Sequence, residues 1–405
     1  MEIAIIGGGI AGLALALNLH RRGISCHVYE AVPDIRELGV GITLLPHGMR
    51  ELTALGLQER LLPQGIETRT SAFFNRFGQL IYQEPRGKLA GYSYPEMGMH
   101  RGRLHRTLYD AAVERLGADR IITGHRCAGV AQDDSGVTVH FADNAALPVR
   151  ADIAIACDGV NSAVRRQFYP DEEVVFTGIN TWRGVTRRAP ILDGRTYMRI
   201  GSILTGKIVI YPIIDDIDGQ GRQLINWTTE IQSDARPMND WNKLGRLEDF
   251  LPLYESWRFD WLDVAALIRE AEIIFEYPMV DKDPVDRWTF GRVTFAGDAA
   301  HPMYPRGSTG SAQALIDCRT LADALASEAD PCAALEKYET ERSGPTAQVV
   351  RTNRANPPDV INIRVEELTG DRPFDRLDDF ITQDELRQLS EGYKAAAGYR
   401  LADVR

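Results

Sequence analysis

The chain has 405 residues, beyond the size at which one hydrophobic core keeps growing, so two packed domains are expected. With 44% apolar and 25% charged residues the composition is ordinary globular, and a net charge of −11 with Lys and Arg scattered along the chain argues against a nucleic-acid partner and for a small-molecule one. Five cysteines, Cys26, Cys127, Cys157, Cys318 and Cys332, lack CxxC spacing, which argues against a disulfide framework or zinc site and for reduced thiols in a cytoplasmic protein.

The chain opens as strand, glycine turn, helix and strand: Glu2 to Ile6 is β-like, Ile10 to Arg22 is an apolar helical run, and Ser25 to Glu30 is β-like again. The uncharged stretch from Ile3 to Leu19 is no signal peptide or membrane span, because Glu2 precedes it and Gly7-Gly8-Gly9 interrupts it. Short β-branched and aromatic runs follow at residues 67–84, then an amphipathic helix from Arg101 to Leu116 and further strands to about Cys157. Strand patterns dominate from about residue 174 to 232, as in Lys207 to Ile213 and Gln223 to Ile231. Arg292 to Ala296 reads as a short buried strand, ahead of a Gly/Pro loop and two helical stretches, Ser311 to Ala326 and Ala333 to Val350. Pro357-Pro358 marks a boundary, after which a polar tail carries helical patches such as Gln383 to Lys394. A strand-rich middle between α/β segments predicts a discontinuous cofactor domain carrying a substrate domain.

Gly7-x-Gly9-x-x-Gly12 lies between the first strand and first helix, where glycines permit a tight turn and close backbone approach while the helix N-terminus faces a pyrophosphate. Ala11 falls inside this motif, and Glu30, followed by Ala31, closes the second strand, where a carboxylate can accept hydrogen bonds from ribose hydroxyls. The pattern indicates an adenine dinucleotide without separating NAD from FAD. The loop from Pro305 through Gly307 to Gly310 leads into a helix whose unpaired N–H groups suit an anionic ring edge.

Three more segments, taken with the glycine motif, resemble the class A FAD-dependent aromatic hydroxylases. Arg101-Gly102-Arg103-Leu104 is similar to that family's FAD-reaching Arg at a helix start. Cys157-Asp158-Gly159-Val160-Asn161-Ser162-Ala163-Val164-Arg165 resembles its DGxxSxVR segment, and Gly297-Asp298-Ala299-Ala300-His301-Pro302 its GD segment, in which the Asp holds the ribityl chain. A closer likeness is to the phenazine monooxygenase (5-methylphenazine-1-carboxylate 1-monooxygenase) branch, through Trp182-Arg183-Gly184-Val185-Thr186, Tyr277-Pro278-Met279-Val280-Asp281, Met303-Tyr304-Pro305 and Gly310-Ser311-Ala312-Gln313-Ala314. Pro302, Arg306 and Ser308-Thr309 depart from that branch in the loop beside the flavin.

The resemblance implies an α/β fold: a Rossmann-like FAD domain of the glutathione-reductase type with an inserted, mostly antiparallel substrate sheet. It assigns residues 1–68, 98–172 and 282–352 to the FAD domain, 69–97 and 173–281 to the substrate domain, and 353–405 to a C-terminal helical tail. It implies noncovalent FAD held by Gly7, Gly9, Ala11, Gly12, Glu30, Ala31, Val40, Gly41, Arg101, Asp158, Asp298, Pro305, Gly307 and Gly310. The implied reaction uses NADH or NADPH and O2 to hydroxylate an aromatic or N-heteroaromatic ring through a flavin C4a-hydroperoxide, in a monomer or homodimer.

Trp182, Tyr211 and Trp227 are candidates for the wall of a planar-ring pocket, although core packing explains each singly. His47 is a candidate to face the active site, and His301 reads as a structural histidine. Arg306 is a candidate catalytic or substrate residue, its guanidinium paired with a substrate carboxylate. A halogenase lacks its WxWxIP segment here, and Trp182 stands where a Baeyer-Villiger oxygenase needs His. Another flavin oxidoreductase, or a non-enzymatic protein on a degenerate flavoprotein fold, is the alternative; retention of Asp158 and Asp298 argues against the latter.

Overall fold

A computed structural model describes residues 1–35, 39–143, 146–233 and 243–404. The βαβ opening forms as Glu2–Ile6, Ile10–Arg21 and Ser25–Tyr29, and its strands join a five-stranded parallel sheet in the order Val293–Phe295, Ile153–Ala156, Glu2–Ile6, Ser25–Tyr29, Ile121–Ile122. Parallel strands covered on both faces must be apolar throughout, and Ile3 to Ile6 and Ile153 to Ala156 are all buried. Helices Ile10–Arg21 and Gly310–Ser327 pack together against this sheet.

The strand-rich middle forms a seven-stranded sheet in the order Ile273–Asp281, Val175–Arg188, Gln223–Gln232, Gly206–Ile214, Thr196–Ser202, Thr70–Phe74, Leu80–Pro85. All its pairings are antiparallel except that of Thr70–Phe74 with Thr196–Ser202. A smaller sheet of Gly41–Leu44, Glu96–His100 and Gly65–Thr68 joins the two halves, with its central strand lying across the expected boundary near residue 97. Gly98 permits this union: a Cβ there would stand 2.5 Å from the Pro212 carbonyl oxygen.

Alternate side chains on the seven-stranded sheet face opposite ways. One face buries Trp182, Ile208, Ile210 and Trp227 with Phe250, Tyr254, Trp257 and the helix Val264–Arg269. The other closes over the parallel-sheet domain. Helix Pro331–Ala355 starts earlier than its apolar pattern, because Asp330 caps it by accepting from the Cys332 N–H at 3.1 Å and Pro331 suits a first helical turn. The polar tail is docked: Ile361, Val365, Leu377, Ile381 and Leu386, from helices Val360–Thr369 and Gln383–Ala396 and the turn between them, pack on Phe73, Ile81 and Tyr82. Among the described residues, no helix is long and apolar enough to cross a membrane.

Candidate active site

A cleft of about 360 Å³ opens between the two sheets, within the range of small-molecule sites. On the parallel-sheet side, Gly7 takes φ +104° and a Cβ there would meet the Cys157 carbonyl oxygen at 2.5 Å, while at Gly12 a Cβ would lie 1.9 Å from the Gly7 carbonyl oxygen. Those two glycines serve the turn itself. Gly9 differs: no protein atom lies within 4 Å of a Cβ built on it, and with Ile10 and Ala11 it lines the cleft at a helix N-terminus. Glu30 is held ready nearby, its carboxylate accepting from the Gly8 N–H at 2.6 Å and the Val32 N–H at 2.9 Å, with Ala31 between.

Asp298 borders the same cleft and accepts no hydrogen bond among the described residues. Its protein surroundings push its carboxyl above the usual range, against the pull of His301 and Arg101. Arg101 opens helix Arg101–Leu116, and its N–H is anchored to the Val40 carbonyl at 2.9 Å. Behind Asp298, Asp317 accepts from the Gly297 N–H, His301 Nε2 and Arg342 Nε, at 3.1, 2.5 and 2.7 Å. Burial alone would raise the Asp317 carboxyl, but His301 and Arg342 hold it below the usual range. His301 therefore braces the Asp298 turn, as a structural histidine does. Asp158 accepts the Ala163 N–H at 2.9 Å through one oxygen, leaving the other buried without a partner. Arg165 ties this segment to the Asp298 turn by donating to the carbonyls of Ala299 and Ala300 at 2.9 and 2.6 Å.

Across the cleft, Arg183, Tyr197, Lys207, Val209, Tyr211, Thr228 and Glu230 form the wall. Tyr211 stacks on Tyr197 with centroids 5.0 Å apart and planes within 13°. Strand parity corrects the expectation for Trp182 and Trp227: their neighbours Arg183 and Thr228 take the cleft face, so both rings point into the core behind. Trp182 stacks on Phe250 at 4.9 Å, and Trp227 donates to Thr186 Oγ1 at 3.1 Å. Gly41 lines the cleft and donates to Asn226 Oδ1 at 2.7 Å, an approach that a Cβ would block, whereas Val40 is buried beside it.

The arginine expected to meet a substrate carboxylate has a partner inside the protein. Arg306 Nη2 donates to Asp359 Oδ2 at 2.6 Å; Lys207 Nζ lies 3.2 Å from the same oxygen and 2.9 Å from both Glu230 oxygens. Two cations and two carboxylates thus close a buried group, and Arg306 needs no ligand to satisfy its charge. His47 is buried with neither ring nitrogen bonded, stacked on Tyr399 at 5.1 Å and away from the cleft lining. Pro305 and Gly310 border the cleft, but Gly307 lies under the tail: a Cβ there would fall 1.4 Å from the Tyr393 phenol oxygen. Tyr393 in turn donates to Asn353 Oδ1 at 2.9 Å. Reading the tail as a polar appendage missed Asp359 and Tyr393; the only signal was the apolar stripe Ile361, Val365, Leu386.

Known proteins agree with this geometry. The family described as FAD binding domain matches residues 1–192 and 276–353, leaving out the strands Thr196–Ser202, Gly206–Ile214 and Gln223–Gln232 of the seven-stranded sheet and the tail. The phenazine 1,6-dicarboxylic acid hydroxylase of Lysobacter antibioticus is 39% identical over 362 residues, 87% of this chain and 89% of its own. A 3-amino-4-hydroxybenzoate 2-monooxygenase of Streptomyces platensis is 33% identical, covering 87% of each chain. Klebsiella pneumoniae HpxO, solved with FAD and uric acid, has the same fold with a TM-score of 0.78 at 23% identity, over 100% of this chain and 96% of its own. Gly9, with open space where a Cβ would stand, and Asp298, with no protein donor on its carboxylate among the described residues, both line the cleft and leave room and acceptors that a bound dinucleotide would use. The chain belongs to the FAD binding domain family, among the class A FAD-dependent aromatic hydroxylases.

Proposed function

We propose that FAD lies along the parallel-sheet side of the cleft and that a planar aromatic or N-heteroaromatic substrate occupies the space between it and the seven-stranded sheet. Segments 1–68, 98–172 and 282–352 carry the cofactor, and 69–97 and 173–281 shape the substrate wall. Glu30 accepts from the adenosine ribose, the helix N-terminus at Gly9 to Ala11 faces the pyrophosphate, and Asp298 with Arg101 holds the ribityl chain. Pro305 to Gly310 borders the isoalloxazine. Bound FAD supplies the redox chemistry, taking a hydride from NADH or NADPH and activating O2. The protein's residues orient the ring, exclude water and fix charge around it. The observation that carries this reading is the unpartnered Asp298 carboxylate facing, across one cleft, a wall containing the stacked Tyr197 and Tyr211.

All five cysteines are free, which supports a cytoplasmic protein, acting as a monomer or homodimer. The test is NAD(P)H oxidation by the FAD-loaded protein with a panel of aromatic acids, phenols and N-heterocycles. At least one member accelerates oxidation and is hydroxylated; no acceleration by any ring contradicts the reading.

A further inference from the structure

We infer that Arg183 is the residue that recognises a carboxylate on the substrate ring, an assignment that rests on the proposed aromatic hydroxylation. Six charged side chains line the cleft: Arg101, Arg183, Lys207, Glu230, Asp298 and Arg306. Lys207 is bonded to Glu230, Arg306 is bonded to Asp359, and Arg101 lies on the cofactor side, where its charge favours the Asp298 carboxylate. Arg183 is left. Among the described residues it joins no ion pair and donates no hydrogen bond, and its Nε is buried without an acceptor. Arg183 is half-buried, and a guanidinium whose Nε has lost water without gaining an acceptor is improved by an anionic ligand that bonds it from the cleft.

The surroundings hold this guanidinium for that purpose. Strand alternation puts Arg183 on the cleft face of Val175–Arg188, directly opposite Thr228, with Glu230 two residues along the partner strand. Glu230 is taken up by Lys207, with both oxygens at 2.9 Å. The Arg183 Cζ lies over the Tyr277 ring, 5.3 Å from its centroid, a contact that fixes a planar cation without neutralising it. Its fork therefore stays available for a bidentate carboxylate. Tyr211 and Tyr197 lie on the same sheet face, two and three strands away, so an aromatic acid can lie against the tyrosine edge while its carboxylate reaches Arg183. Gly184 keeps the strand in place: a Cβ there would stand 2.3 Å from the Trp227 ring, which backs the sheet at this point.

The experiment is a titration of the flavin absorbance of the FAD-loaded protein with matched pairs, each an aromatic carboxylic acid and its uncharged carboxamide: benzoates, quinoline carboxylates and phenazine-1-carboxylate. Wild type prefers the acid, and Arg183→Met weakens the acid by about 10- to 150-fold, the loss of one charge-assisted contact, while leaving the amide unchanged. Arg183→Lys keeps the charge without the fork and falls between the two. Should Arg183→Met fail to retain flavin, the acid-over-amide preference of wild type and the Arg183→Lys value still decide. If acids bind and the Arg183 variants keep the full preference, or if only the KM for NAD(P)H changes, this assignment is overturned and the hydroxylase reading stands. If no ring of either kind perturbs the flavin, the aromatic-substrate reading falls, and the assignment with it.

Discussion

Replacing Asp359 with Asn removes one negative charge from a buried group of two cations and two carboxylates while keeping the shape of the side chain. Asp359 is fully buried, 2.6 Å from Arg306 and 3.2 Å from Lys207, so the variant leaves both cations to share Glu230, already 2.9 Å from Lys207 and 4.0 Å from Arg306 Nε. Breaking one side of a buried pair costs about 3–5 kcal/mol, and the retained amide oxygen places this change near the lower end. For a domain of this size that corresponds to a fall in Tm of roughly 5–10 °C, read by thermal melting of the FAD-loaded protein at neutral pH. The acid side provides a second check. Burial opposes ionisation of Asp359, yet Lys207 and Arg306 hold its carboxyl well below the usual carboxylate range. A carboxylate depressed by folding contributes stability above its unfolded pKa of about 4 and loses that contribution as the pH falls toward the folded value. The difference between wild type and Asp359→Asn is therefore full at neutral pH and narrows below about pH 4. A Tm within about 2 °C of wild type, a shift well below what a broken buried pair gives, would refute the reasoning. So would a difference that stays constant into acid.

Gly9→Ala and Gly12→Ala separate folding from cofactor binding: the first meets no protein atom within 4 Å and should fold normally but bind FAD at least about 10-fold more weakly, while the second meets the Gly7 carbonyl oxygen at 1.9 Å and should fail to fold. Equal FAD affinity for wild type and Gly9→Ala in a dialysis measurement would remove Gly9 from the cofactor site. Asp298→Ala should lower flavin content and raise the hydrogen peroxide formed per NAD(P)H consumed; unchanged values on both counts would contradict its role. Burial, reinforced by Arg50 and Arg342, pushes the His47 imidazole down to about 3, so folding keeps it neutral and its contribution is lost as pH falls below its unfolded value near 6.5. His47→Phe should keep the ring stack on Tyr399, leave the pH profile of turnover unchanged and reduce the loss of Tm between neutral pH and pH 5; an altered turnover profile would return His47 to the chemistry.

The parallel-sheet side of the cleft was the most legible in the sequence, because its glycines and Asp298 are placed by backbone geometry and local spacing that a linear motif records. The opening unit, the helix Arg101–Leu116 and the helix after Gly310 followed from apolar periodicity in the same way. The substrate side was less legible for a physical reason. Tyr211 faces the cleft while Trp182 and Trp227 face the core, a distinction set by strand register that residue type alone does not carry. Arg306 was singled out because a desolvated guanidinium needs a partner. That logic holds, but the partner is Asp359, 53 residues away in a polar segment whose docking was signalled only by a short apolar stripe. Arg183 sat inside a recognised motif, yet its lack of a partner emerges only once every neighbouring charge has been placed.

The account stands most directly on the fate of oxygen. With purified FAD-loaded protein, NAD(P)H and an aromatic substrate that accelerates its oxidation, turnover under 18O2 should give a hydroxylated product carrying one labelled oxygen atom, and turnover in H2 18O under ordinary oxygen should give none. Label derived from water, or NAD(P)H oxidation that yields only hydrogen peroxide with every ring tried, would contradict the assignment of this cleft to aromatic hydroxylation.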